Sequence, residues 1–325
     1  MDWGRVQGPV RRELAQVDRQ LATLFRSPIG IINQVAGHFL ATRGKKFRPT
    51  LLLLVARLTG KADRRLISAA CVVEIIHAAA LIHDDSVDKS LLRRGLPTVN
   101  NLWNDEVSII IGDFLYSKAF TKMVDERLSP AMEILARVSH EMTIGEALEF
   151  EHENDLAISE DEYIEVIRAK TATLIGGACQ IGAHAHDAQA DRARGRRFYR
   201  FGEQIGLAFQ IADDLFDYVG DPSATGKGVG GDLESGKITL PLIHALKNGA
   251  RDAARIGALV EKKRLAPTEW QELVGMLERG GHIAYAQGRA DAYASRARRA
   301  LGPEADSPIK AALADAVQYA VARSN

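Results

Sequence analysis

The segment Leu81-Ile82-His83-Asp84-Asp85-Ser86-Val87-Asp88 sets three carboxylates within five positions, at the end of a strongly apolar stretch running from Cys71 to Ile82. On a helix, Asp84 and Asp88 are four residues apart on one face, where like charges repel unless a cation or strong donors stand between them. The same D-D-x-x-D spacing returns in Phe209-Gln210-Ile211-Ala212-Asp213-Asp214-Leu215-Phe216-Asp217. One such cluster could be no more than a solvated helix end. Two of them, each closing an apolar stretch, point to a divalent metal. All-oxygen ligands suit Mg²⁺, which binds few carboxylates and keeps coordination positions for substrate phosphates. Neither cluster contains cysteine, and zinc would have to rely on His77 or His83 alone.

Metal-bound phosphates also need fixed positive charge, and it gathers around turns. Gly44-Lys45-Lys46-Phe47-Arg48-Pro49 places three cations before a helix, and Arg93-Arg94-Gly95 follows the first acidic cluster. Lys170-Thr171 lies mid-chain, while Thr225-Gly226-Lys227-Gly228 and Asp232-Leu233-Glu234-Ser235-Gly236-Lys237 follow the second cluster. Glycine permits close backbone approach, and Arg and Lys bind phosphate oxygens. Each of these alone is an ordinary surface turn. Together with two metal sites they outline a pocket for two diphosphates.

The elements that must position these groups read as helices. Ten prolines are unevenly spread, with none between Pro49 and Pro97, Pro97 and Pro130, or Pro130 and Pro222. Proline is poorly tolerated inside a helix, so the gaps invite helices. Within them apolar residues recur at helical spacing, as in Leu66, Ala69, Ala70, Val73, Ile76, His77 and Ala80. No run of alternating apolar residues with a hairpin dipeptide stands out. The expectation is an all-α single large helical bundle around a deep central apolar cavity. It is read as one domain over residues 1–325, with a peripheral N-terminal helix over about residues 1–27, because no long Pro/Ser-rich linker interrupts the 325 residues. Ser159 and Glu162 have the spacing of a capping box. The arginine-dense run Arg192 to Arg200 reads as a solvated helix face.

Lys+Arg and Asp+Glu both number 42, so bulk positive charge cannot hold nucleic acid, and no nucleic-acid partner is expected. The longest purely aliphatic run, Leu51 to Val55, is far short of the roughly 20 residues that cross a bilayer, so no transmembrane segment is expected. Cys71 and Cys179 sit in apolar segments and read as buried thiols in a reducing cytoplasm.

In this order the motifs resemble those of the trans-isoprenyl (polyprenyl) diphosphate synthases, from near residue 30 to near residue 320. They are most like the medium- and long-chain (octaprenyl-type) members. The matching elements are the G-K-x-x-R-P turn, H-x-x-x-L-I-H-D-D-x-x-D followed by R-R-G, and G-D-x-L at Gly112 to Leu115. Lys170–Thr171, F-Q-x-x-D-D-x-x-D, and G-K-x-T-L-P at Gly236 to Pro241 complete the set. The resemblance implies an all-α homodimer that joins isopentenyl diphosphate head-to-tail to an allylic diphosphate. It implies Mg²⁺, three ions per active site with Mn²⁺ able to substitute, and an enzyme in the cytoplasm with transient membrane contact for product release.

By the same resemblance Asp84, Asp88 and Asp213 bind the metal ions, with Asp85, Asp214 and Asp217 supporting them directly or through water. Arg93, Lys170, Lys227 and Lys237 neutralise the allylic diphosphate, and Thr171 and Gln210 line the site near the reacting carbon. Lys45, Arg48, His77 and Arg94 hold isopentenyl diphosphate. Ala79 and Ala80 stand where short-chain members carry an aromatic, so the product is expected to be long, hexaprenyl to decaprenyl. Ile76, Phe120 and Met123 are candidate floor residues, although ordinary core packing explains them equally well. One departure stands out: where the family usually shows G-E-x-x-Q, this chain has Gly145-Glu146-Ala147-Leu148-Glu149, followed by Glu151, Glu153 and Asp155.

Rival readings are a short-chain farnesyl or geranylgeranyl diphosphate synthase, an HD-type phosphohydrolase built on His83-Asp84, a terpene cyclase, and a non-catalytic subunit of a heteromeric synthase. The phosphohydrolase leaves the second aspartate cluster unexplained, and the cyclase lacks its usual second motif. A non-catalytic subunit tends to lose an aspartate motif, and both are kept here.

Overall fold

The computed structural model describes residues 2–41, 44–60, 63–93, 95–184, 192–220, 230–248 and 252–322. The chain runs through α1 (Trp3–Gln7), a 3₁₀ turn (Gly8–Val10), α2 (Arg11–Leu24), α3 (Gly30–Ala41), α4 (Phe47–Thr59) and α5 (Arg64–Val87). A minimal hairpin, β1 (Leu92–Arg93) and β2 (Leu96–Pro97), leads into α6 (Val99–Leu102), α7 (Asp105–Asp125) and α8 (Ser129–Glu151). Then come α9 (Glu160–Ile167), a π-helical turn (Arg168–Ala172), α10 (Thr173–Ala183) and α11 (Arg192–Val219). The last third holds α12 (Gly231–Glu234), α13 (Leu240–Lys247), α14 (Ala253–Val260), α15 (Pro267–Arg279), α16 (His282–Ala300) and α17 (Pro308–Val321).

The all-α expectation holds, and local chemistry explains where the helices start. The Asp63 carboxylate accepts from Leu66 N at 3.0 Å to cap α5, and the Asn104 side-chain oxygen accepts from Val107 N at 2.9 Å to cap α7. The Ser159–Glu162 capping box forms in both directions at α9. Because α5 is apolar on nearly every side, it belongs in the middle: Cys71, Val72, Val73 and Ile76 are fully buried. Among the described residues α5 alone is long and apolar enough to cross a membrane, but 72% of its apolar window is buried inside the protein. It packs on α7 and α4, α4 packs on α10, and α11 packs on α10 and α16. One buried apolar cluster extends from Trp3 to Val321.

Three features differ from the sequence reading. The antiparallel hairpin pairs Leu92 with Pro97 and Arg93 with Leu96, too short a ladder to leave an alternating pattern. Its turn contains Gly95 at φ +76°, a conformation that favours glycine. The π turn at Arg168–Ala172 has a helix-compatible sequence and left no break to read. The arginine run is not a solvated face throughout: Arg194 and Arg197 both donate to the nearly buried carboxylate of Glu304, and Arg197 Nη1 also bonds the Ala300 carbonyl at 2.7 Å.

Candidate active site

The two aspartate motifs occupy the C-terminal turns of α5 and α11. In each, helical geometry turns successive residues by about 100°, so the carboxylates meet different surroundings. Asp85 is buried and gripped by Arg93, whose Nε lies 2.9 and 2.8 Å from its two oxygens and whose Nη2 lies 2.7 Å away. Asp214 is buried as well, accepting from the Tyr163 hydroxyl at 2.6 Å and from Gln210 Nε2 at 2.8 Å. Gln210 in turn accepts from Thr171 Oγ1 at 2.9 Å. Asp217 accepts from the backbone N–H groups of Gly231 and Asp232, both at 3.1 Å, and so fastens the loop that carries Lys237. Asp84 and Asp88 remain half-buried, and Asp213 is exposed.

Lys237 relates the two motifs, pairing with Asp88 of the first while its charge also acts on Asp214 of the second, and Lys170 stands beside it. Lys170, on the π turn, lies 2.5 Å from Glu149 and 2.7 Å from Glu146. Lys237 lies 3.2 Å from Asp88 and 3.1 Å from the same Glu149 oxygen. Asp88, Glu146 and Glu149 each present a carboxylate oxygen within 4.8 Å of the others. A cavity of about 120 Å³ adjoins them, with Tyr163, Lys170, Thr171, Gln210, Asp214 and Lys237 among its lining.

The charges in this hollow perturb one another strongly. Burial pushes Asp84 up to about 7, helped by Glu146 and Asp88 and opposed by Lys170 and Arg93. Burial also pushes Asp214 up to about 7, against the bonds from Tyr163 and Gln210. Burial would lower Lys237, but Glu149, Asp88 and Asp232 outweigh it and hold the ammonium above its ordinary value. Burial would likewise raise Glu149, yet Lys237 and Lys170 hold it below the usual carboxylate range. With all of them ionised, Asp84, Asp88, Glu146 and Glu149 outnumber Lys170 and Lys237 and leave two negative charges uncompensated. An oxygen-only donor set with that residual charge fits a divalent hard cation.

The family's glycines are explained by close approach. A Cβ on Gly145 would fall 2.3 Å from Lys170 N and 2.7 Å from its Cα, so only glycine lets α8 press against the π turn. Gly145→Ala is therefore expected to cost about 1–3 kcal/mol of stability and, by displacing Lys170, roughly a hundredfold in kcat. Thermal melts and steady-state turnover would check both. A Cβ on Gly112 would fall 2.0 Å from His83 Nε2. His83 thus packs into α7, its Nε2 3.2 Å from the Ile109 carbonyl and its ring stacked on Tyr116. His83 is thereby held against α7 as a packing residue, not turned toward the two lysines.

The basic turn at the other end is held by both termini. Lys45 is exposed, its carbonyl accepts from Trp3 Nε1 at 2.8 Å and Gln7 Nε2 at 3.0 Å, and its ammonium lies 5.2 Å above the Tyr319 ring. Arg48 in the first turn of α4 and His77 on α5 are both half-buried, on helices that pack together. Arg94 and Lys227 lie outside the described residues. Of the chain-length candidates, Ile76, Ala79 and Met123 are buried and Ala80 is half-buried. Phe120 is 41% exposed, one residue past fully buried Ala119, so within this chain it does not join the buried stack below Asp84.

Sequence reasoning missed Glu146, Tyr163 and Asp232, and it gave the acidic residues after Ala147 no role. Glu151 and Glu153 are exposed, and Asp155 caps the following turn through Ala157 N at 2.8 Å. Glu149 instead enters the site. Its one signal was the departure from the family pattern.

The polyprenyl synthetase family model matches residues 29–277. The chain is 31% identical over 323 residues to octaprenyl diphosphate synthase of Escherichia coli, covering 99% of each chain. A crystal structure of a polyprenyl synthase from Caulobacter crescentus, complexed with calcium and isoprenyl diphosphate, superposes with a TM-score of 0.93 at 34% identity, covering 100% of this chain and 98% of that one. A decaprenyl diphosphate synthase from Rhodobacter capsulatus superposes with a TM-score of 0.91 at 33% identity, covering 100% of both. Relatives named for shorter products, a short chain isoprenyl and a geranylfarnesyl diphosphate synthase, are 33% identical.

Proposed function

The chain belongs to the polyprenyl synthetase family, and from that premise we propose that it condenses isopentenyl diphosphate head-to-tail with an allylic diphosphate to give a trans-polyprenyl diphosphate of hexaprenyl to decaprenyl length. The observation that carries this reading is the convergence of Asp84 and Asp88 from α5, and Asp214 from α11, on the field of Lys170 and Lys237. Incubating the protein with Mg²⁺, isopentenyl diphosphate and farnesyl or geranylgeranyl diphosphate, then extracting and chromatographing the lipid, tests it. Long-chain prenyl diphosphate supports the reading. A cyclic hydrocarbon, release of inorganic phosphate without elongation, or inertness refutes it.

Asp84, Asp88 and Asp213 would hold the metal, three Mg²⁺ ions per site with Mn²⁺ able to replace them. When bound, the metal supplies Lewis-acid stabilisation of the departing pyrophosphate. Asp85, Asp214 and Asp217 are already engaged by Arg93, by Tyr163 and Gln210, and by backbone N–H groups, which supports a positioning role for them. Lys170 and Lys237, with Arg93 and Lys227, take the allylic diphosphate, and Thr171 and Gln210 fix the wall beside the reacting carbon. Lys45, Arg48, His77 and Arg94 take isopentenyl diphosphate. The allylic C–O bond breaks with its electron pair going to pyrophosphate. The isopentenyl double bond attacks the cation to form the new C–C bond, and a proton leaves to pyrophosphate, restoring a double bond. No protein nucleophile is required. The apolar walls keep out water, which would trap the cation as an alcohol.

The continuous core from Trp3 to Val321 supports one domain over 1–325. Ile110, Phe120 and Val124 leave an apolar outer face on α7, which supports a homodimer that covers it. Two buried, unpaired thiols support residence in the cytoplasm, with transient membrane contact when the product leaves.

A further inference from the structure

We propose that Glu149 is an internal counter-ion to the diphosphate-binding lysines, and that it weakens their hold on diphosphate so that binding depends on metal. The inference rests on the function proposed above. One oxygen of Glu149 lies 2.5 Å from Lys170 Nζ and 3.1 Å from Lys237 Nζ. The lysines come from the π turn and from the loop after α12, and Glu149 is the group that both of them contact. A diphosphate approaching them meets a carboxylate already seated there. The family pattern has a neutral glutamine at this position, which would leave the two ammonium charges less compensated and more attractive to any polyanion, product pyrophosphate included. With glutamate, affinity returns only when cations offset the local excess of carboxylates, and pyrophosphate is released more readily after each condensation.

The test is pyrophosphate binding by calorimetry, with EDTA and again with Mg²⁺, on the full-length wild type, Glu149→Gln and Glu149→Asp. Lys170 keeps Glu146 and Lys237 keeps Asp88 in every variant, so melting temperatures should stay close to wild type. In EDTA, Glu149→Gln should bind pyrophosphate about tenfold tighter, the effect of removing one nearby negative charge. Glu149→Asp retains the charge and should follow the wild type. In the condensation assay Glu149→Gln should be inhibited by pyrophosphate at lower concentration. Unchanged or weaker metal-free binding by a folded Glu149→Gln overturns the counter-ion role. Failure of the Mg²⁺-loaded wild type to bind pyrophosphate at all would instead overturn the function on which it rests.

Discussion

Replacing Asp84 by Asn will lower kcat for condensation by about a thousandfold, the loss expected when a group stabilising leaving-group charge is removed. The fold will not suffer. Burial raises Asp84 to about 7, so the folded metal-free protein holds this proton more tightly than the unfolded chain does. Its ionisation above pH 7 therefore works against folding, and a neutral isostere relieves that cost. Lys170 keeps Glu146 and Glu149 as partners after the change. Melting of the metal-free variant at pH 8 should match or exceed wild type while turnover collapses. Activity within tenfold of wild type would remove Asp84 from the metal-binding set, and a fall in Tm would show that its charge supports the fold.

The chemistry of this chain was legible to the extent that it is written in contiguous residues. Asp84, Asp85 and Asp88 are adjacent, and helical spacing alone indicated that 84 and 88 share a face. Burial then separated the triad in a way spacing could not: Asp85 was claimed by Arg93 from the hairpin, a partner that depends on a two-residue ladder with no pattern of its own. Tyr163 lies far from Asp214 in sequence and reads simply as an apolar-face residue of α9 until the helices pack. The same holds for Glu146 and Glu149, whose roles arise only because Gly145 lets α8 touch the π turn. The π turn itself is invisible in Arg168-Ala169-Lys170-Thr171-Ala172, since every residue there suits an α-helix. Its widened geometry at a functional lysine agrees with the placement of π-bulges generally.

Replacing Ala80 by Phe will shorten the product by several isoprene units, while Ala79→Phe will mainly destabilise the protein. His77, Ala80, Asp84 and Asp88 recur at helical spacing along α5 and are all half-buried, so they form one face of the helix, the face that carries the first aspartate motif. Ala79 is turned about 100° away and is fully buried against neighbouring helices. A phenyl ring at 79 meets packed side chains and should cost about 1–3 kcal/mol, read as a lower Tm. Ala80 is only half-buried at the edge of the core, one turn before the first aspartate, so a ring there projects along the aspartate-bearing face with less to displace. A turn rises about 5.4 Å, comparable with one extended isoprene unit, so the ring blocks the path just below the diphosphate. Chain growth then stops early, although the metal and lysine groups are untouched and the first condensation should keep its rate. Chromatography of extracted product, beside melts of both variants, separates the two effects. An unchanged product spectrum from a folded Ala80→Phe enzyme would mean that the growing chain runs along some other face, and that the half-buried stripe on α5 is not the gauge.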